Sequence, residues 1–305
     1  MSELITDLKS IELETLNNLK LSKSVNTIRA YKSDFKDFSR FCAKNGFKSL
    51  PTEPNILALY ITYLSSSSKI STLKRRIASI SVVHRLGGHY IDTKHPIIVE
   101  NLMGIKRKIG SFQKSKKPIL IGELKLILNA IDKVNKNQKR IIRDKAVILT
   151  GFAGGFRRSE LVSITYEDLE FVPEGIKIFI KRSKTDQTGD GMIKALPYLS
   201  NKEFCAVTFL KKWIELSNIK SNLIFDISDK TVALLIKKYI SVAGFDHTKY
   251  SGHSLRSGFA TVSAEFGADE RSIMTMTGHK TTQMVRRYIK EANLFKNNAL
   301  NKIRF

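Results

Sequence analysis

Three short stretches of this chain gather residue types suited to chemistry on phosphate esters. Ser251-Gly252-His253-Ser254-Leu255-Arg256 sets a histidine and an arginine three positions apart, on one face if a helix begins at Ser254. Thr277-Gly278-His279-Lys280 precedes Arg286-Arg287-Tyr288-Ile289, and Thr281-Thr282 opens a helix between them, so a turn and a short helix can fold Tyr288 back toward His279. Upstream, Gly155-Phe156-Arg157-Arg158-Ser159-Glu160-Leu161 adds an arginine with an acid three residues on, and Lys184 falls in the turn leaving the middle strand of an expected sheet.

Phosphodiester cleavage concentrates negative charge on the non-bridging oxygens, and fixed guanidinium groups neutralise it in bidentate fashion without a metal. A tyrosine phenol, with an ordinary pKa of about 10, needs a nearby base or a positive field to act as a nucleophile. The histidines and arginines supply both, and Lys184 is a reasonable proton donor to a departing deoxyribose hydroxyl. No cofactor is then required. Taken one at a time these residues have plainer explanations. Tyr288 would be an ordinary half-buried tyrosine, His253 and His279 hydrogen-bonded structural histidines, and Glu160 a surface acid near a helix start. Lys184 would be one more hairpin cation beside Lys177, Lys181 and Arg182. Their co-occurrence is what favours catalysis.

The elements that must position them are mainly helical. From Asn26, read as an N-cap, Ile28, Tyr31, Phe35, Phe38 and Cys42 recur at helical spacing until Gly46, and Arg29, Lys32, Lys36 and Arg40 share the opposite face. A second helix opens at Pro54 and ends in the serines 65–68. A third carries Leu73, Ile77, Ile80 and His84 on one stripe, with Lys74, Arg75 and Arg76 beside it. Lys106 to Pro118, KRKIGSFQKSKKP, shows no helical stripe and includes Lys106, Arg107 and Lys108, so it reads as a basic linker. Beyond it, helices over Glu123 to Ile131 and Arg140 to Ala153 lead to a bend at Gly154-Gly155. Leu169 to Val172, Ile176 to Lys181 and Ile193 to Pro197 form a small antiparallel sheet, after which helical spacing returns. The expected organisation is a helical DNA-binding domain over residues 1–105, the linker at 106–118, and a catalytic domain over 119–305. All ten basic residues just named on the first and third helices and the linker are candidates for DNA contact.

GFRRSEL, the hairpin lysine, HSLR, GH and the later tyrosine together resemble the tyrosine recombinase, or phage integrase, family over nearly the entire chain. The resemblance implies a mainly α fold with a small antiparallel sheet in the C-terminal domain, in which a helical core-binding domain and a catalytic domain clamp a duplex. It implies that Arg157 and Arg256 hold the scissile phosphate, that His253 is the base, Tyr288 the nucleophile and Lys184 the general acid. His279 would support the phosphate and Glu160 would orient its neighbours. The family pattern selects Arg157 over Arg158. Partners implied are double-stranded recombination sites and copies of the same chain, a dimer on each site and a tetramer at synapsis. A C-terminal helix bearing Leu294, Phe295, Leu300 and Ile303 would dock in a neighbouring subunit.

Composition agrees with a polyanionic partner: 52 Lys and Arg against 28 Asp and Glu give a net charge of +24. The apolar run from Ala146 to Phe156 is broken by Thr and Gly and is short for a membrane span, and the acidic N-terminus is unlike a signal peptide. The two cysteines, Cys42 and Cys205, lie in apolar-patterned segments, which fits a reducing, intracellular setting; the resemblance implies a cytoplasmic bacterial, phage or plasmid context. His84, His89, His95 and His247 match no metal-binding spacing. Alternatives are a type IB topoisomerase, which would share this residue set, and a non-catalytic DNA-binding protein. A metal-dependent integrase would need clustered carboxylates where arginines and histidines stand.

Overall fold

The computed structural model describes residues 11, 14, 22–110, 115–181, 191–292 and 299–303. Two compact units divide the chain, Met1–Lys114 and Ser115–Phe305.

The first unit contains helices α1 (Val25–Lys44), α2 (Pro54–Leu64), α3 (Ile70–Leu86) and α4 (Pro96–Ile109). The α1 cap is Ser24, whose Oγ accepts from the Thr27 amide at 3.2 Å, two residues ahead of the Asn26 expected from sequence. The apolar stripes meet in one core built on Phe38, Leu57, Tyr60, Ile61, Leu73, Ile80 and Ile98. Asp34 of α1 is buried against α3, where it pairs with Arg75 and accepts from Ser79 Oγ at 2.7 Å. Arg76 pairs with Asp37, which also accepts from the Tyr60 hydroxyl at 2.8 Å. His84 is fully buried: Nδ1 lies 2.8 Å from the Ile80 carbonyl and Nε2 accepts from the Thr52 amide at 3.1 Å. That ring is structural. The basic segment read as linker from Lys106 begins inside α4, whose last turn contains Lys106, Arg107 and Lys108. Cations at a helix C-terminus favourably meet its negative end, which is why the helix runs on through them.

The second unit contains α5 (Ile121–Val134), α6 (Gln138–Ala153), α7 (Arg158–Val162), strands β1 (Leu169–Val172), β2 (Gly175–Ile180) and β3 (Met192–Pro197), then α8 (Ala206–Ser217), α9 (Asp229–Val242), α10 (Ser254–Glu265), α11 (Glu270–Thr277) and α12 (Thr282–Ala292). The strands form an antiparallel sheet in the order β1-β2-β3. Ile176, Ile178 and Ile180 of β2 point into the main core, as alternation requires. On β3 the alternation selects an unexpected face: Lys194 is 0 % exposed and Leu196 2 %, while Ile193 is 60 % exposed.

Helix α6 is buried almost all round from Ala146 to Phe152 and forms the centre of the unit. Helix α10 is buried over most of its length, and the extended segment before α5 crosses it so closely that the Ile119 amide donates to the Ser254 carbonyl at 3.0 Å. A Cβ on Gly258 would stand 2.1 Å from the Ile119 carbonyl oxygen. Ala260 and Ala264 of α10, Ile273 of α11 and Val285 of α12 form a smaller core that fastens the last two helices.

Gly258→Ala should therefore push α10 away from the residue-119 segment and cost about 1–3 kcal/mol, the usual range for overpacking a close contact. Denaturant unfolding checks this, and an unchanged midpoint would contradict the contact.

Candidate active site

The bend at Gly154-Gly155 is the site's foundation. Gly155 adopts φ +53°, and a Cβ there would meet the Phe259 ring at 3.0 Å, so glycine suits both the conformation and the space. Two buried cations hold the carbonyls of this bend. Lys194 Nζ donates to the Gly154 oxygen at 2.7 Å, and Arg256 Nη1 donates to the Gly155 oxygen at 2.8 Å.

Immediately after the bend, Arg157 occupies the N-cap position of α7 and Glu160 its third residue. Glu160, 2 % exposed, accepts from the Arg157 amide at 2.9 Å and from Arg157 Nη1 at 2.5 Å. One carboxylate thus fixes both the backbone and the guanidinium of that arginine. Arg157 Nη2 also approaches the Gly278 carbonyl at 3.4 Å. Arg158 goes elsewhere: its side chain lies over Gly252 and its guanidinium faces Asp229 at 3.6 Å. The two adjacent arginines are thereby separated.

Arg256 is 1 % exposed. Nε and Nη2 are buried with no hydrogen-bond partner among the described residues. Burial and the charge of Arg157 lower its pKa to about 10, partly offset by Glu160 and Tyr288. Arginines bury when their charge is matched, and here the match is incomplete.

His253 lies at the N-cap position of α10, one turn from Arg256. Its Nε2 stands 3.4 Å from the Tyr288 hydroxyl. Loss of solvent on its protein-facing side lowers its pKa, as do Arg256, Arg157 and Arg158, so a neutral ring faces the phenol. Tyr288 is half-buried on α12, its ring centroid 6.1 Å from that of His279. His279 is 7 % exposed, and burial with the charges of Arg256, Arg157, His253 and Lys194 brings its pKa to about 4.

Arg157, Glu160, His253, Arg256, His279 and Tyr288 therefore converge. Lys184 lies outside the described residues. The ten residues proposed for DNA contact are exposed apart from the half-buried Arg76; Arg75 also pairs with Asp34 and Arg76 with Asp37. Leu300 and Ile303 are exposed beside a short 3-10 turn, and Leu294 and Phe295 lie outside the described residues. Among the described residues, no group of His, Cys, Asp and Glu could hold a metal ion, and no helix is long and apolar enough to cross a membrane.

Sequence reasoning missed Lys194. Its signal was present: Met192, Lys194 and Leu196 share one strand face, so an inward Leu196 carries the lysine inward. The Lys194 ammonium sits 4.3 Å from the Phe156 ring centroid, and burial pushes its pKa down to about 7, opposed by Glu160 and reinforced by Arg256 and Arg157.

An unfolded chain holds the Lys194 proton up to the ordinary lysine value of 10.5, while the folded chain releases it near 7. Between these values unfolding takes up a proton, so folding stability rises with pH. The thermal midpoint of the protein should thus rise, relative to that of Lys194→Met, from pH 7 to pH 10. Parallel pH profiles in calorimetry would contradict the buried charge.

The profile of the family described as "Phage integrase family" matches residues 121–294. An integrase/recombinase XerD homolog of Selenomonas ruminantium is 41 % identical, over 96 % of this chain and 89 % of its own. A tyrosine recombinase XerC of Thermodesulfovibrio yellowstonii is 27 % identical over 88 % of each chain. In structure, the chain is similar to the XerH site-specific recombinase bound to palindromic difH substrate, with TM-score 0.61 and 19 % identity over 81 % of this chain and 73 % of that one. It is also similar to a lambda integrase dimer bound to a COC' core site, with TM-score 0.60 and 18 % identity over 91 % and 93 % of the two chains. The expected fold class, mainly α with a small antiparallel sheet, holds. With the profile spanning more than half the chain and a relative this similar over almost all of it, the protein belongs to the phage integrase family, the tyrosine recombinases.

Proposed function

We propose that the protein cuts and rejoins DNA by conservative site-specific recombination, with Tyr288 as the nucleophile. The observation that carries this is Arg256: a fully buried guanidinium with two nitrogens lacking acceptors among the described residues, set beside Arg157 and a tyrosine whose hydroxyl faces a neutral histidine. Such a group suits an anion that arrives with the substrate.

The scissile phosphate seats between Arg157 and Arg256. His253 Nε2 takes the phenolic proton as the Tyr288 oxygen attacks phosphorus. The bond from phosphorus to the 5′ oxygen breaks, leaving a 3′-phosphotyrosyl link, and the departing 5′ oxygen receives a proton from Lys184 as general acid. A 5′ hydroxyl of the partner strand then attacks the phosphotyrosine, displacing the phenol and restoring the diester. One phosphoester bond forms for each that breaks, so neither ATP nor a metal is needed. His279 supports the phosphate and Glu160 keeps Arg157 aimed.

Double-stranded recombination sites are the partner, with lysines and arginines of α1, α3 and α4 contacting the backbone and making affinity fall steeply with salt. The relatives whose structures are described with DNA sites, one of them as a dimer, support this reading. Exchange between two duplexes takes four cleavages, hence a dimer on each site and four subunits at synapsis. The segment bearing Leu294, Phe295, Leu300 and Ile303 is the proposed subunit link.

Tyr288→Phe should abolish strand cleavage while binding a DNA site as tightly as the parent. Arg256→Ala should lower single-turnover cleavage by about 100-fold or more, the size of effect seen when one charge-stabilising donor is removed. Gel-shift and cleavage assays on the same site check both, and normal strand exchange by Tyr288→Phe would exclude the mechanism.

A further inference from the structure

Thr277 ends α11, immediately before the left-handed turn at Gly278 that returns the chain to His279. Its side chain is fully buried. The hydroxyl oxygen lies 2.6 Å from the Ile273 carbonyl and 2.7 Å from His279 Nδ1. A threonine hydroxyl owns one hydrogen, and a carbonyl oxygen can only accept. The hydrogen therefore goes to Ile273, and the hydroxyl offers a lone pair to Nδ1. For that 2.7 Å contact to be a hydrogen bond, Nδ1 must carry the proton.

We infer that Thr277 is a positioning residue that fixes the His279 tautomer with hydrogen on Nδ1, so that Nε2 can donate to a phosphate oxygen only after taking up a proton when the phosphate binds. The phosphate half of this rests on the recombinase reading, whereas the tautomer rests on the hydrogen-bond count alone. Facing His279 are Arg157 at the start of α7, Lys194 on β3, His253 and Arg256 on α10, and Tyr288 on α12. In the resting protein burial, and with it three cations and one histidine in this group, disfavour an imidazolium, in agreement with a pKa near 4. A phosphate carries the opposite charge and shifts the balance back toward the protonated ring. His279 is then neutral while the site waits and cationic when anionic charge is present. Phosphate binding should thus tighten as pH falls through the pKa of the phosphate-bound state, an effect complete below the resting value.

The experiment is nitrogen NMR on the intact protein labelled in its six histidine rings, with His279 assigned from a His279→Gln variant. At pH 7 the parent should show a protonated Nδ1 and an unprotonated Nε2. Thr277→Val, which cannot accept, should move the hydrogen to Nε2, and Thr277→Ser, which keeps the hydroxyl, should retain the parental pattern. Inorganic sulfate, which does not titrate in this range, should raise the His279 pKa by about one unit or more in the parent and in Thr277→Ser. A parental Nε2–H tautomer, or the same tautomer in Thr277→Val, would overturn the assignment. A His279 pKa unmoved by sulfate would overturn the linkage to anion binding. If the tautomer is as stated but no DNA becomes attached to Tyr288, it is the recombinase reading that fails, and the hydrogen-bond assignment stands.

Discussion

A buried cation with no matching anion among the described residues governs this protein. Arg256 is buried with one hydrogen bond among the described residues, Lys194 is buried beside it, Arg157 lies within their field, and Glu160 offsets them. Burying charge that is not neutralised opposes folding. The fold tolerates it because the cost is spread: the two glycine carbonyls of the bend accept from two of the cations, and Glu160 takes the third. What stays unsatisfied among the described residues, Nε and Nη2 of Arg256, is a preorganised receptor for negative charge that needs no rearrangement when the substrate arrives.

Burial, reinforced by the same field, explains the histidines. A proton on His253 or His279 is disfavoured, so both rings rest neutral, and a neutral ring is what a base facing a phenol must be. The Tyr288 oxygen lies within electrostatic reach of Arg256. Helices α10 and α12 share the small alanine, isoleucine and valine core, and this packing brings the phenol within reach of His253. Stability of an unremarkable apolar cluster thereby becomes catalytic geometry.

Much of this was legible in the sequence because the relevant residues sit in local patterns. His253 and Arg256 share a helix face by spacing, Gly154-Gly155 announces the bend, and Glu160 reaches Arg157 within one turn. The sheet was readable from short β-rich runs between turn residues. The failures have physical causes. Helix α4 was overlooked because its cationic last turn reads as linker, although those cations suit a helix end. The ion pairs of Arg75 and Arg76 with Asp34 and Asp37, on a helix some forty residues earlier, are pairings no local pattern shows. Lys194 carries no local signal of burial, which shows only when strand alternation is followed from the inward Leu196. Thr277 gave no sign at all, because its role depends on where a single hydrogen goes.

The most direct test of the account is to trap the intermediate. Incubated with chelator and without ATP on a DNA site that it binds, nicked just beyond the scissile phosphate, the protein should become attached to DNA through a bond that survives denaturation. Mass spectrometry of the digested adduct should place the 3′ phosphate on the Tyr288 oxygen. Attachment at any other residue, or none on DNA shown to be bound, would contradict the account and leave the cation cluster as a DNA-binding site without chemistry.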